Sequence, residues 1–555
     1  MNMNITKLSL TNFRSFQQTQ TIEFAPVTLL FGPNSVGKSS VLMALFYLQH
    51  VINKGQCDPQ RIEALGNKYV GGFKNLINGK DLSKTMVIKV EYQKPKNQAG
   101  HSFDDSTWFI EGLHQKAAQL GESVSEPLLN MSSPSEWADE IAIEFEIKWS
   151  HAEKTAFVYR QSVWLDNEFI LEVKNTKPND NAEVSRVNYL HPLFKTDDED
   201  DTETASREDG SCGEFHHHVL EAATSTPIDV LLPDSQRRFV HAPFHFQSRS
   251  GALPRLDKRL ETSLESEHDL ITRRIEEIFS DVIVASLANL NDVLSDSVAI
   301  GPLRQIPDST FDAEDKVIQK DWYSGKASWD TIFNADMEVV HRVNRWMAGR
   351  DWLDLGYALV EKSEQGRIDY ISDGDKFSDF TRRQLDEASS EGVNHKYFSS
   401  REYQHDVVTL WDLSNDIEVS ASDVGAGISQ VFPLVVAAES NKRGLICCEQ
   451  PELHLHPKAQ VSLGDLLTQT DSKNHYLIET HSEHLILRLL RRIRETTDQA
   501  LPSGFTPVSK ADLSIVYLES SDAGVVAHKT LLTDDGDLET GWPSGFFDER
   551  DEELF

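Results

Sequence analysis

The chain has 555 residues, 26% of them charged, and a formal net charge of −35. This length can bury a large core and suggests two or three structural units, while the charge argues against a globally basic protein that wraps nucleic acid. The sequence has no uninterrupted apolar run of about 18 residues, so we expect no transmembrane helix. The N-terminus lacks the signal-peptide pattern, and the four cysteines show no metal or disulfide spacing. We therefore expect a cytoplasmic protein.

The first 45 residues contain the most specific pattern. Two polar-apolar alternating segments, KLSLTNFRSF and QTIEF, read as strands, and the apolar segment APVTLLFG runs into GPNSVGKSS and an apolar helix. The glycine-rich turn fits G-x-x-x-x-G-K-S, and its strand-turn-helix setting predicts a phosphate-binding loop. Lys38 would reach the β- and γ-phosphates and the Ser39 hydroxyl would bind Mg²⁺.

The middle of the chain is less informative. Alternating segments between residues 140 and 174 predict antiparallel strands, an acidic run at residues 196–210 predicts a solvated loop, and residues 260–294 predict helices without coiled-coil heptads. We expect an N-terminal lobe with the phosphate loop over 1–95, an insertion of strands, acidic loop and helices over 96–330, and a C-terminal lobe with an acidic tail over 331–555.

The last third alternates strands with helices, which predicts a mainly parallel sheet covered on both faces. The apolar strand LICCE ends at Glu449, where an acid would hold the magnesium shell. The next strand runs through HYLIETHSEH to His481, which could sense a γ-phosphate and position water. A lone histidine at a strand end is more often structural, and only the ordered set of motifs favours the functional role.

Four segments in order, LTNFRSF with FAPVTLLFGPNSVGKSSVLMAL, ASDVGAGISQVFPLVV, LICCEQPELHLHP and LIETHSEHLILRL, resemble the ABC-class ATPases of the SMC/RecF/OLD type. They are most similar to antiphage-defence ATPases such as PtuA of Septu systems. The resemblance touches both ends of the chain and leaves its middle uncovered. It implies an α/β ABC-type ATPase head, with a mainly parallel sheet and an antiparallel β subsheet, interrupted by the long α+β insertion.

The same resemblance implies a head-to-tail dimer, or a larger assembly, that sandwiches two ATP molecules with Mg²⁺. The implied metal ligands are Ser39 and Glu449, and His456 matches the residue that contacts the other subunit. Gln49 and Gln60 are weak candidates for the glutamine that links magnesium to a regulatory region. The implied cofactor-binding residues are Arg14, Gly32, Pro33, Asn34, Ser35, Val36, Gly37, Lys38, Ser39, Ser40, Gly425, Gly427 and Ser429, and the implied catalytic residues are Glu449, Gln450, Glu452 and His481.

Gln450 stands where the resemblance implies a catalytic glutamate. An amide can orient water but cannot accept its proton at neutral pH. Three hypotheses remain: Glu452 supplies the carboxylate, Gln450 alone positions the water, or turnover is slow or dependent on a partner.

The resemblance implies a function in antiphage defence, and the next question is whether the chain carries a nuclease of its own. Glu519, Asp535 and Asp537 superficially match a Toprim nuclease, but too few residues surround them, and a surface turn is the simpler interpretation. We expect a sensor or regulator of a separate nuclease subunit, such as an HNH protein, in antiphage defence. The alternative is a RecF-like repair ATPase that clamps duplex DNA, and a transporter subunit is weaker. Two basic segments, 488–495 and 236–259, could contact nucleic acid but also fit an ordinary helix face and loop.

Overall fold

The computed structural model describes residues 3–94, 131, 133–194, 211–224, 243–266, 269–306, 317–362, 368–369, 407–415, 417–420, 424–440, 444–470, 474–539 and 541–542. Its strands are β1 (Asn4–Thr11), β2 (Gln20–Glu23), β3 (Val27–Phe31), β4 (Arg61–Ile62), β5 (Lys68–Tyr69), β6 (Met86–Gln93), β7 (Glu140–Ser150), β8 (Thr155–Leu165), β9 (Glu168–Lys174), β10 (Ala182–Val187), β11 (Phe244–Phe246), β12 (Val298–Ile300), β13 (Tyr357–Lys362), β14 (Ile368–Asp369), β15 (Val407–Asp412), β16 (Ile417–Val419), β17 (Leu445–Glu449), β18 (His475–Glu479), β19 (Leu513–Ser521) and β20 (Gly524–Thr530).

The α-helices are α1 (Lys38–Lys54), α2 (Phe73–Leu76), α3 (Pro134–Trp137), α4 (Ser211–Thr224), α5 (Asp269–Ser280), α6 (Ser286–Asp296), α7 (Gln319–Trp322), α8 (Lys326–Phe333), α9 (Met337–Ala348), α10 (Ala426–Ser440), α11 (Pro457–Leu466) and α12 (Glu483–Thr497). A π-helical segment, Asp281–Ala285, joins α5 to α6, and short 3₁₀ turns lie at Glu63–Leu65, Asn78–Lys80 and Lys510–Asp512.

A six-stranded sheet in the order β12-β17-β18-β3-β19-β20 positions the candidate site. Its first four pairings are parallel and the last is an antiparallel hairpin. Every residue of β3 and of β17 is buried, as expected for strands covered on both faces. Because β3, β17 and β18 are parallel neighbours, their carboxyl ends meet at one edge of the sheet. The protein is thus a mixed α/β fold.

An eight-stranded sheet, β11-β10-β9-β8-β7-β6-β1-β2, is antiparallel in all its pairings. It crosses the expected boundary between residues 95 and 96, because β7 pairs along the whole of β6. The described strands of the expected insertion therefore do not form a body of their own, and β12 even joins the parallel sheet. Alternating burial predicts such strands, but it does not say to which sheet they add.

The core lies on both faces of the parallel sheet. On β3, Leu30 belongs to a cluster shared with α1, α5, α6 and the antiparallel sheet. Leu29 and Phe31 point the opposite way, into a cluster shared with α9, α10, α11 and α12. The strand that leads into the phosphate loop is therefore held from two sides.

One helical stretch among the described residues, Ile271–Asp296, is long and apolar enough to cross a membrane by length and composition alone. Its apolar window is 83% buried inside the protein. This burial is typical of a core helix, which the stretch forms beneath the antiparallel sheet.

Candidate nucleotide-binding site

The loop between β3 and α1 has a backbone that two of its glycines make possible. Gly32 has φ 139° and a Cβ there would lie 2.2 Å from the Leu518 carbonyl oxygen, while Gly37 has φ 124° and a Cβ would lie 2.4 Å from Ser15 Oγ. Both positions combine a left-handed backbone with no room for a side chain. The loop tip, Pro33–Asn34–Ser35, is exposed, so it is open to a ligand.

Lys38 and Ser39 begin α1 with their side chains in the loop. Lys38 is 3% exposed, and its Nζ donates to the carbonyl oxygens of Gly32 and Pro33, both at 2.9 Å. Ser39 Oγ donates to Glu479 Oε2 at 2.7 Å. Burial lowers the pKa of Lys38. Val36 and Ser40 are buried at the base of the loop, where they support it from the core side.

Two carboxylates lie side by side at the carboxyl end of the sheet. Glu449 and Glu479 are in-register partners on β17 and β18, so their side chains leave the sheet on the same face. Glu449 Oε1 accepts a hydrogen bond from the Tyr323 hydroxyl at 3.0 Å and lies 4.0 Å from Lys68 Nζ. Burial raises the pKa of Glu479. The two carboxylates and the Ser39 hydroxyl offer the oxygen ligands that Mg²⁺ prefers.

The turn after β17 carries both candidate residues for activating water, Gln450 and Glu452, in different environments. Gln450 has φ 47°, and its backbone N–H donates to the Glu479 carbonyl oxygen at 2.7 Å. The Glu452 carboxylate is 8% exposed and accepts from the His481 backbone N–H at 2.7 Å and from Thr480 Oγ1 at 3.0 Å. Glu452 thus fixes the turn that carries His481, and two of its acceptor sites are already used.

His481 lies at the same edge of the sheet. Its Nε2 is buried and has no hydrogen-bond partner among the described residues. Burial lowers its pKa, and the charge of Lys38 acts in the same direction. At neutral pH the imidazole is therefore uncharged, and one ring nitrogen is available to a bound ligand.

A second group of predicted residues lies around a pocket of about 330 Å³ at the start of α10. Gly425, Gly427 and His456 line it, and a Cβ on Gly427 would come within 2.7 Å of the His454 carbonyl oxygen. Ser429 differs from the expectation, because its side chain is fully buried and faces the core rather than this surface. Residues 421–423 of the same segment lie outside the described residues.

Arg14, Gln49 and Gln60 complete the set of predicted residues. Arg14 is exposed, has φ 50° and directs its guanidinium towards Met43 on α1, within the electrostatic reach of Glu449. Gln49 is buried on α1 and donates to Gln319 Oε1 at 2.9 Å, and Gln60 is exposed. The structure therefore brings neither glutamine to the two carboxylates.

Most of the described basic residues of the two candidate nucleic-acid segments pair with carboxylates, whereas Arg249 donates from Nη1 to the Ile52 carbonyl oxygen at 3.3 Å. On α12 the four arginines each lie within 4 Å of a carboxylate: Arg488 and Arg492 at Asp465, Arg491 at Glu495 and Arg494 at Asp537. In the other segment Arg255 pairs with Asp257, Lys258 with Glu261, and Arg259 with Glu276 and Glu277. Residues 236–242 of that segment lie outside the described residues. These pairings match the ordinary helix-face and loop interpretation.

Comparison with known proteins identifies the family. A family model described as an AAA ATPase domain matches residues 3–292 and 357–486. The chain belongs to that family. It is an ATPase, and the matched residues include the phosphate loop, Glu449, Glu479 and His481. No curated protein matches the chain.

Three solved structures are also similar to this AAA ATPase-domain protein. One is the SMC head domain from Thermotoga maritima, at 10% identity and a TM-score of 0.34, covering 96% of this chain and 100% of the other. Another is an SMC head bound to the C-winged helix domain of ScpA, at 10% identity and a TM-score of 0.37, covering 95% of this chain and 97% of the other. The third is an SMC head with an extended coiled coil bound to the C-terminal domain of ScpA from Pyrococcus furiosus, at 9% identity and a TM-score of 0.34, covering 95% of this chain and 96% of the other. TM-scores this low carry no conclusion.

Four side chains at the site were missed in the sequence: Glu479, Tyr323, Lys68 and Arg304. Only Glu479 had a usable signal, because it ends an apolar strand as Glu449 does. Tyr323 and Lys68 come from segments with no motif. Arg304 is 5% exposed and holds the end of β17 from behind, with Nη2 donating to the Glu449 carbonyl oxygen at 2.6 Å.

Proposed function

We propose that the chain is an ABC-type ATPase whose self-association is controlled by Mg²⁺ and ATP. The observation that carries this proposal is that the predicted nucleotide-binding residues form two groups, which we call half-sites. One comprises the phosphate loop and its carboxylates, and the other is the pocket at the start of α10, where Gly425, His454 and His456 are exposed. An exposed helix start attracts a phosphate. A second copy would thus cover the nucleotide of the first, as in a head-to-tail homodimer or larger assembly.

Hydrolysis in this assembly is slow or dependent on a partner. Gln450 carries an amide where a base would be expected, and the Glu452 carboxylate already accepts two hydrogen bonds. The site is then suited to hold ATP and keep the assembly closed. Turnover of Gln450→Ala beside Glu452→Gln tests which residue matters, and wild-type turnover in Glu452→Gln would remove Glu452 as the base.

Molecular-mass measurement with and without Mg-ATP tests the self-association directly. We expect the mass to double with Mg-ATP in the wild type and to stay that of the single chain in Lys38→Ala, which loses the cation at the phosphates. A mass that does not change with nucleotide in the wild type would contradict the proposal.

The cellular role we propose is that of a cytoplasmic sensor and regulator of a separate nuclease in antiphage defence. The resemblance to defence ATPases supports it. The three acids that superficially match a nuclease are engaged locally: Glu519 with His528, the Asp535 carbonyl with Arg494, and Asp537 with the same arginine. These contacts favour a surface turn over a nuclease site, and we propose that the nuclease belongs to a separate subunit.

Co-purification from the native operon, followed by mass measurement, tests this role. We expect a nuclease subunit to accompany the chain, and phage protection to be lost in Lys38→Ala. If the purified chain alone instead shifts duplex DNA in an ATP-dependent manner and no nuclease accompanies it, the RecF-like clamp replaces the defence role.

A further inference from the structure

We propose that Glu479 is a metal-binding carboxylate of the ATPase site and acts together with Ser39 and Glu449. The inference rests on the ATPase activity of the family, and it is independent of the dimer and of the defence role. It concerns the ligands of the divalent cation, and it is separate from the question of which residue activates water.

The first argument is the position of β18. This strand lies between β3, which leads into the phosphate loop, and β17, which ends at Glu449. Glu479 is in register with Leu30 on one side and with Glu449 on the other. Glu479 therefore ends a strand that has the phosphate loop on one side and the predicted metal-binding acid, Glu449, on the other.

The second argument is the contact made by its carboxylate. Oε2 accepts the hydrogen bond of Ser39 Oγ at 2.7 Å, and Oε1 lies 4.0 Å from Lys38 Nζ. These are the two side chains that the phosphate-loop pattern assigns to the cation and to the phosphates. A carboxylate that already contacts the hydroxyl ligand is within reach of an ion bound there.

The third argument is charge. Glu449 and Glu479 leave the sheet on the same face and are both largely buried, at 6% and 7% exposure. Two neighbouring buried carboxylates repel each other unless a cation lies between or beside them. Lys38 compensates Glu479 in part and Lys68 compensates Glu449 in part, each from 4.0 Å, and a divalent ion shared by both acids would complete the compensation. Mg²⁺ is commonly held by one or two carboxylates together with phosphates.

Glu452, the acid nearest to Gln450 in sequence, is less suited to this task. Its two oxygens accept from the His481 backbone and from Thr480. An ion bound to these oxygens would compete with the two hydrogen bonds in a buried turn, and each donor left unpaired would cost about 1–3 kcal/mol. Glu479 gives up only the hydroxyl of Ser39, which the same ion would bind.

Binding of the fluorescent analogue mant-ATP in excess Mg²⁺ and in excess EDTA tests the proposal without relying on turnover. Glu479→Gln should reduce the strengthening of binding by Mg²⁺ by about 10-fold or more. In EDTA the same variant should bind as tightly as the wild type or more tightly, because a negative charge beside the phosphates is gone. The matched control is Glu519→Gln, a half-buried acid on β19 of the same sheet, which should leave both affinities unchanged.

Two results would overturn the proposal: an unchanged Mg²⁺ dependence in Glu479→Gln, or an equal loss of affinity in Mg²⁺ and in EDTA, which would show that Glu479 only supports the loop. Should Glu479→Gln fail to fold, Glu479→Asp keeps the charge but shortens the side chain. That variant should then weaken the affinity of the protein–ATP complex for Mn²⁺, measured by electron paramagnetic resonance. Wild-type Mn²⁺ affinity in Glu479→Asp would equally refute a direct contact.

Discussion

Arg304 connects the two half-sites, and its replacement gives the sharpest structural prediction. Its guanidinium donates from Nε to the Gly301 carbonyl oxygen at 2.8 Å, from Nη1 to that of Gln430 on α10, and from Nη2 to that of Glu449 at 2.6 Å. The side chain is 5% exposed. One buried residue thus holds the loop after β12, the helix with the second half-site and the end of β17.

The magnitude follows from what Arg304→Met would leave behind. Methionine fills similar space, but three buried carbonyl oxygens would lose a charged donor. Hydrogen bonds to charged groups contribute about 1.5–3 kcal/mol each and the losses are not additive, so we expect the free energy of unfolding to fall by about 3–5 kcal/mol. Arg304→Lys should recover only about 1–2 kcal/mol, because a point charge on a flexible stem cannot span three directions.

Urea denaturation with and without ATP, together with ATP turnover, measures the effect. We expect turnover to fall far more than mant-ATP affinity, because the phosphate loop itself does not touch Arg304. The control is Arg494→Met on α12, whose guanidinium also bonds a carbonyl and a carboxylate but is 49% exposed, so its loss should cost at most about 1 kcal/mol. Equal costs for the two variants would refute the coupling role of Arg304.

Three further predictions concern single positions. Gly427→Ala should destabilise the start of α10 by about 1–3 kcal/mol and abolish ATP-dependent self-association, whereas Gly425→Ala, with no atom within 4 Å of the new Cβ, should leave stability unchanged; thermal denaturation and mass measurement compare them. Glu452→Gln should lower stability by about 1–3 kcal/mol, because an amide presents only one acceptor to the His481 N–H and Thr480, and urea denaturation that shows no loss would contradict this. Burial lowers the pKa of the His475 imidazole below 6.5, so on acidification this histidine is protonated in the unfolded chain before it is protonated in the folded one. The contribution of the neutral imidazole to stability is therefore present above pH 6.5 and is lost as the pH falls below it. In urea denaturation, the midpoint of His475→Gln should fall less than that of the wild type between about pH 7.5 and about pH 5.5.

The sequence predicted the parts of the site that depend on short-range patterns. The phosphate loop follows from four defined positions, Gly32, Gly37, Lys38 and Ser39, between an apolar strand and an apolar helix, and the end of β17 follows from four apolar residues before an acid. What the sequence did not reveal depends on contacts between distant segments. Ser39 and Glu479 are separated by 440 positions yet share a hydrogen bond, and Tyr323 reaches Glu449 from a segment without a motif.

The expected insertion shows the same limitation in the fold. Alternation identified its strands as antiparallel, but the partner strand β6 ends at Gln93, well before β7 begins at Glu140. Pairing across such a gap is decided by which edge is available and by the core beneath it, and neither is encoded in the period of one strand. The segment therefore continued an existing sheet, and its last strand, β12, became the edge of the other one.

The two candidate acids after the apolar strands show why distance along the chain misleads at such a site. Glu452 is two residues from Gln450, but it lies in a turn where backbone donors converge, so its carboxylate stabilises the turn. Glu479 is twenty-nine positions from Gln450, yet parallel pairing places it directly beside Glu449, and the Gln450 N–H bonds its carbonyl oxygen. In a parallel sheet, residues in register on neighbouring strands place their side chains together at the strand ends. Glu479 is in register with Glu449, so the proposed pair of metal-binding acids comes from two strands, whereas the amide of Gln450 lies in the turn that follows.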